Sequence, residues 1–429
     1  MPIRQVFQQK VQRQTRIDLP QKRNQGDSKL KRQRCLVWIK LALSASIPLM
    51  IAIFTVISYI QTNEINERNR QKDIEIANQT RLQEQQLAHE QHHEDQQQAD
   101  ELHYQTLFGN YIEEISTAIY KQSGQNQSMF INEDNKMLYI RRKTLLILRS
   151  IDSDRKNQLF IFLYENKLLP DAMKPNSTVD LTGADLSNII VKSPITGKYN
   201  FSQLSLLSVN LMNSTFINCI FDGQTDFNGS ILVDAQFVDT GFYGKLNAFS
   251  MDLTNASFTG CHFHGQTDFS RSILTNTHFI HTEFHEKLNA FSVNLTNASF
   301  LNCQFWRGTH FNDSNLSTVN FQRTEFNCLD HDDDERSHIF SQSSMVFIDF
   351  REAHLCDVQF EGVDLSYANF SEVKLLTVFF VNTNLSNSIV NIRSIGISTL
   401  KNIVLPNGTW LIDSSNHVKN SDAEENVTQ

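Results

Sequence analysis

The chain changes its hydrophobic rhythm as it runs. Residues 41–60 read LALSASIPLMIAIFTVISYI, twenty positions without a charge. At a rise of about 1.5 Å per residue such a helix spans a hydrocarbon core of about 30 Å. The run predicts one transmembrane helix over 36–60, with Lys40 snorkelling at its edge and Pro48 placed to kink it. Residues 61–101 are polar and Gln-rich, without Gly or Pro, and their apolar positions (Ile65, Ile74, Ile76, Leu82, Leu87) hold no heptad. They predict a solvated helical stalk with only weak, coiled-coil-type homo-oligomerisation. Leu102, Phe108, Ile112, Ile115 and Ile119 then recur at helical spacing as far as Ser123 and Gly124. A second helix fits 137–151 and a third 155–169, with Asp152 or Ser153 as N-cap and Pro170 as the stop. Together, residues 102–169 predict a small helical cap.

From Val179 the period becomes five: VDLTG ADLSN, then YNFSQ LSLLS VNLMN STFIN CIFDG. Leu or Phe occupies every fifth place, a small residue sits two before it, and polar residues fill the rest. Five matches neither the 3.6-residue helix nor the two-residue strand. It matches a chain that turns a corner every five residues and buries two of them. A superperiod lies on top of it. VNLMNSTFINCIFDGQTDF is followed 42 residues later by MDLTNASFTGCHFHGQTDF and then by VNLTNASFLNCQFWRGTHF. Four pentapeptides make a square coil of about twenty residues, so 42 is two coils plus two extra residues. The spacing slips at Gly223-Gln224 and within 245–248, which predicts one single-residue corner bulge per coil. The array covers 179–392, interrupted by an insertion over 329–337. It predicts on the order of ten coils stacked about 4.8 Å apart, a rod of roughly 45–50 Å. Residues 393–410 read as a C-terminal cap and 411–429 as a disordered tail.

These pentapeptides resemble the pentapeptide-repeat family, whose consensus is A-(D/N)-L-x-x. The lead-in MLYIRRKTLLILRSIDSDRKNQLFIFLYENKLL followed by VDLTGADL resembles that of its membrane-anchored members. The resemblance implies a mainly β fold, a right-handed quadrilateral β-helix with the central Leu or Phe and the preceding small residue inside. It implies no activity for the membrane-anchored members. Some soluble bacterial members mimic DNA and inhibit gyrase, a reading that only acidity supports here. The sequence departs from the consensus by favouring Phe, 31 in all, which predicts a wider, aromatic-stacked core.

Charge adds a topology. The net charge of -9 hides ten Lys or Arg within residues 1–35 against Asp18 and Asp27. A basic segment N-terminal to the apolar run puts residues 1–35 in the cytosol and the solenoid in a lumenal or extracellular space, a single-pass type II membrane protein. A cleaved signal peptide fits poorly, since the apolar run and the basic region are both too long. Sequons outside the repeats mark Asn78, Asn126, Asn176, Asn407 and Asn426 as candidate glycosylation sites.

Candidate chemistry is sparse. His89, Glu90, His92 and His93 match the zinc-protease pattern H-E-x-x-H, yet they sit in a Gln-rich helix without a cleft. The acidic run from Asp330 to Glu335 lacks the Gly and the spacing of a calcium loop. Cys219, Cys261 and Cys303 lie 42 apart at the small inward position. Two coils, about 9–10 Å, separate them, which is too far for disulfides and predicts buried free thiols. With the insertion at 329–337 the centres run Phe326, Phe340, Met345, Phe350, Leu355, so Cys328 and Cys356 face outward on neighbouring coils within reach of a disulfide. The repeats carry 23 acidic against 10 basic side chains, which suits solubility or a basic partner. The sequence thus predicts a non-enzymatic, membrane-integral scaffold or protein-interaction module. It predicts no catalytic residues, metal, cofactor or nucleic-acid partner. The contrasting classes are a membrane-bound metal-dependent hydrolase using the stalk histidines, and an acidic DNA mimic.

Overall fold

The structure is a computed structural model and describes residues 28–120, 130, 132–171, 174, 177–194, 196–328, 337–391 and 400–411. Residues 1–97 and 98–429 separate as two units. The basic tail up to residue 27, the insertion apart from Ser337, and the C-terminal tail beyond Leu411 lie outside the described residues.

Helix α1 runs from Ser28 to Tyr120 without interruption, where the sequence suggested a membrane helix, a stalk and a first cap helix as separate pieces. Nothing between residues 61 and 101 can stop it: Pro48 is the only proline inside the helix. Its most apolar 18-residue window has a mean hydropathy of 2.2 and no buried residue, and the helix is long and apolar enough to cross a membrane.

Helix α2 (Glu133–Leu148) starts four residues earlier than the periodicity suggested. Asn132 caps it, its side chain accepting the Asn135 amide at 2.8 Å. Helix α3 (Ser153–Glu165) is capped as expected by Asp152, whose Oδ1 accepts the Arg155 amide at 2.9 Å. Its end is a correction, because Pro170 does not stop it. Lys167 turns left-handed at φ 57. The Leu168 amide then reaches the Leu163 carbonyl at 2.8 Å and the Lys167 amide the Tyr164 carbonyl at 3.0 Å, a Schellman closure. Leu159, Phe160 and Leu163 are buried, and Phe160 and Tyr164 pack on Phe201 with ring centroids 5.6 and 5.1 Å apart. Lys156 to Asp185 (2.8 Å) and Arg141 to Asp180 (2.9 Å) tie the cap to the first coil.

The repeats wind into a β-solenoid of nine turns, counted along its second face. Three faces are parallel sheets. The first runs from Ile190–Lys192 to Ser299–Leu301, the second from Asn200–Ser202 to Lys374–Leu376, the third from Thr225–Asp226 to Leu400–Lys401. The fourth is a column of single bridges, from Asp185 through Asn210 and Ile231 to Asn384 and Val404. Pairing therefore continues past residue 392, as Phe380 pairs with Leu400. An antiparallel hairpin, Ile403–Val404 with Trp410–Leu411, follows.

Phe216 pairs with Phe237 and Phe237 with Phe258, a coil of 21 residues. After the insertion His354 pairs with Lys374, a coil of 20. The extra residue follows the second face, between Phe221 and Phe227 and again between Phe242 and Ala248. Elsewhere the corner residue two after each centre is left-handed, as in Asn213, Asn255, Asn276 and Asn297 at φ 55 to 59. Asn tolerates that region best among residues with a Cβ, which explains its frequency there. At Gly244 and Gly265 the bulged corner brings successive coils so close that an added Cβ would stand 2.1 Å from the carbonyl oxygen of Gly223 or Gly244 below.

The core is three ladders of stacked phenylalanines. On the first face Phe216, Phe237, Phe258, Phe279, Phe300, Phe321, Phe350 and Phe370 follow one another at 4.6 to 5.3 Å between centroids. On the second, Phe221, Phe242, Phe263, Phe284, Phe305 and Phe326 do so at 4.7 to 5.0 Å. On the third, Phe311, Phe340, Phe360 and Phe380 stand 5.1 to 5.2 Å apart. Phe263 is fully buried, whereas Gln236 on the first face points outward. Phe263→Ala is expected to cost about 3–5 kcal/mol, and Gln236→Ala within about 0.5 kcal/mol, in denaturant unfolding of the detergent-purified chain. Equal losses would place the inward phase incorrectly.

Candidate functional site

Because the coils stack in register, outward side chains line up in columns. On the second face, strand His262–Phe263 pairs with Glu283–Phe284, setting His262 beside Glu283. One column therefore reads Gly241, His262, Glu283, Gln304, Glu325. The residue after each centre forms the next column: Tyr243, His264, His285, Trp306. Successive rings there lie 4.5, 4.4 and 6.1 Å apart between centroids.

His262, His264 and His285 thus meet at one patch, their ligand-type nitrogens all within 4.8 Å of one another. Glu283 Oε2 lies 3.1 Å from His285 Nε2 and 3.5 Å from His262 Nδ1. His285 Nε2 is itself buried and, despite that proximity, lacks the alignment of a hydrogen bond. Partial burial, and next the charges His285 and His262 would carry, lower the pKa of His264, which favours its neutral, ligand-competent form. The second face fixes the backbone beneath: Phe263 and Phe284 stack inside it at 4.7 Å.

The sequence-stated candidates fall elsewhere. His89, His92 and His93 are exposed on α1, with His92 Nε2 3.1 Å from Gln96 Nε2. Among the described residues the group of three ligand-type side chains within mutual reach is the one on the solenoid, not the one on the stalk. Residues 330–335 lie outside the described residues. Cys219, Cys261 and Cys303 are free and buried, burial pushing their thiols up to about 11, 12 and 12. Each points its Sγ at a backbone carbonyl, that of Phe237 for Cys261 at 3.4 Å and that of Phe279 for Cys303 at 3.3 Å.

Cys328 and Cys356 are joined by a disulfide, with Cα atoms 4.9 Å apart. One part of the expectation needs correcting: Cys356 does not face solvent but is 1% exposed. Its bonded partner on the adjoining coil covers it, and Cys328 takes the exposed place. Asn78 is exposed on α1. Asn407 is exposed at the C-terminal hairpin turn, its Oδ1 accepting the Thr409 amide at 3.0 Å. Asn126, Asn176 and Asn426 lie outside the described residues.

Two features escaped the sequence reading. The first is the histidine patch, whose signal was present: H-x-H at 262–264 and E-x-H at 283–285 stand 21 residues apart, one bulged coil. The second is His338, fully buried at a small inward position beside the insertion. Its Nδ1 lies 3.0 Å from Thr309 Oγ1 and its Nε2 3.2 Å from the Asn327 carbonyl.

Residues 343–380 match the family model of pentapeptide repeats, with eight copies. No curated protein sequence matches the chain. Among solved structures, HetL, a pentapeptide repeat protein involved in heterocyst differentiation regulation in the cyanobacterium Nostoc sp. strain PCC 7120, is 12% identical. That alignment covers 58% of this chain and 98% of HetL with a TM-score of 0.25. QnrB1, a plasmid-mediated fluoroquinolone resistance protein, is 21% identical over 51% of this chain and 91% of its own, with a TM-score of 0.21.

Burial pushes His338 down to about 4. In the unfolded chain it titrates near 6.5, so below that pH the unfolded state binds the extra proton and the folded state does not. Its contribution to stability is therefore present above about pH 6.5 and lost as the pH falls towards 4. Between pH 7 and 4.5 unfolding titrations should show a loss on the order of 2 kcal/mol that His338→Gln removes. An identical acid slope in His338→Gln would deny His338 that role.

Proposed function

We propose that this pentapeptide-repeat protein is a single-pass membrane protein whose solenoid serves outside the cytosol as a non-enzymatic scaffold or protein-interaction module. The observation that carries the reading is the filled interior. Stacked Phe and Leu occupy the whole cross-section of the coils, so what the solenoid does it does with its outward columns. Those columns are held in register and mix polar side chains with exposed apolar ones such as Tyr243, Trp306, Phe347 and Tyr367, a surface suited to docking a partner protein along one face.

The membrane part of the reading is supported by the apolar stretch of α1 and by the ten basic residues that precede it. The Cys328–Cys356 bridge fits a solenoid on the oxidising side, since disulfides persist there and are rare in the cytosol. Exposed Asn78 and Asn407 are placed to accept glycans on that side. Exposed apolar residues along the polar half of α1, such as Ile65, Ile74 and Leu82, support weak self-association of the chain.

Sealed cells or vesicles of native sidedness provide the test. Protease added outside should leave an epitope tag at Met1 intact while degrading the solenoid. Non-reducing peptide mapping of the same material should recover Cys328 linked to Cys356. Digestion of the Met1 tag, or free alkylated Cys328 and Cys356, overturns the orientation. Cross-linking of the full chain in its membrane should then capture a protein partner through the outward columns, and capture unchanged by outward substitutions removes the docking role.

A further inference from the structure

We infer that His262, His264, His285 and Glu283 form a binding site for one divalent transition-metal ion, with Zn²⁺ the best fit. The site clamps two successive coils on the second face. The inference stands on geometry independent of the membrane topology.

In a tetrahedral zinc site with metal–ligand distances of about 2.0–2.1 Å, neighbouring ligand atoms stand about 3.3 Å apart. The carboxylate already meets that spacing, at 3.1 Å from His285 Nε2 and 3.5 Å from His262 Nδ1. The three imidazole nitrogens, within 4.8 Å of one another, close the remainder by small side-chain rotations. The backbone needs no movement, because the paired strands set H-x-H directly beside E-x-H.

A second observation points to a ligand. The buried ring nitrogen His285 Nε2 faces the cluster, 3.1 Å from Glu283 Oε2 but not aligned for a hydrogen bond. A metal ion bonded there would satisfy that nitrogen and the facing carboxylate together. The patch is also walled. Tyr243 stacks on His264 at 4.5 Å, and Trp306 lies parallel to His285 at 6.1 Å. These rings flank the imidazoles of His264 and His285, while the side chain of His262 stays 45% exposed and leaves the site open to an incoming ion.

Three imidazoles and one carboxylate select a borderline ion such as Zn²⁺, Ni²⁺ or Cu²⁺ over Ca²⁺ or Mg²⁺, which require shells built mainly of oxygen. Four protein ligands complete a tetrahedral shell, as structural rather than catalytic zinc sites do. The ion therefore staples adjacent coils, and its loss frees the outward histidines. The competing account is a simple ladder of stacked imidazoles that binds nothing.

The test uses the full chain in detergent, stripped of metal by chelation, and carries His89→Gln, His92→Gln and His93→Gln in every sample to silence the stalk. Zn²⁺ titration by calorimetry should give one ion per chain and raise the melting temperature. Co²⁺ in its place should show the intense visible absorption of a tetrahedral site. Loss of a mere supporting partner of a ligand costs about 10–100-fold in affinity. His264→Gln with His285→Gln should accordingly weaken binding by at least about 100-fold. Glu283→Gln, which keeps shape and removes the charge, should weaken it by about tenfold or more. Melting without metal should stay unchanged in both variants, since the Phe ladder beneath is untouched. No ion bound in the stalk-silenced chain, or binding that both solenoid variants leave intact, overturns the site.

Discussion

Everything in the solenoid depends on face-to-face stacking of identical side chains in consecutive coils. A phenylalanine whose ring repeats at 4.6 to 5.3 Å along the axis can do so only where parallel strands lie in register. The stacking and the ladder hydrogen bonds therefore enforce one another. A slip of one residue would turn each ring outward and bring a polar side chain in. Each buried centre is worth about 1.5–3 kcal/mol against exposure, so one slipped coil forfeits several such contributions at once.

The corners are where this regularity has to be reconciled with a chain of L-residues. Left-handed backbone recurs at nearly every turn, most often at Asn, Asp, Ser or Gly, which tolerate it, but also at residues such as Thr318, Phe347 and Tyr367. After the second face the bulged coils from Gly244 onward avoid it by spending one more residue, whereas Gly223 keeps it at φ 68. At the corner that precedes the second face Cys219, Thr240, Cys261, Thr282, Cys303 and Thr324 succeed one another, every one aiming its thiol or hydroxyl at a carbonyl of the coil before. Ser230, Ser272 and Ser314 alternate with Met251 and Val293 on the other side, each serine bonding the coil before it. These alternations give the 42-residue superperiod a physical content: two coils share one set of inward polar groups.

The same register that builds the core also writes the surface. Outward residues have no packing to satisfy, so their columns are free to carry chemistry, and on the second face they assemble imidazoles and a carboxylate from two strands. The helical cap serves the first coil in a comparable way. Its charged residues Lys156 and Arg141 anchor to Asp185 and Asp180, while Phe160 and Tyr164 cover the ring of Phe201.

The period of five, the inward Phe and Leu, the one-residue slip per coil, the apolar span and the Asp152 cap could all be read from local pattern, because each is a property of residues close in sequence. The pairing of Phe326 with Leu355 across the interruption was also legible, since the centres count through it. The continuous course of α1 was only half legible: polar composition showed a helix, but changing hydrophobicity suggested breaks that the backbone has no cause to make. The end of α3 was set by a left-handed lysine rather than by the proline downstream. Burial of Cys356 and His338, and the meeting of His262, His264, Glu283 and His285, arise between residues a full coil or more apart. Those relations depend on the exact coil length and on which side chains cover which, and stacking in three dimensions alone decides them.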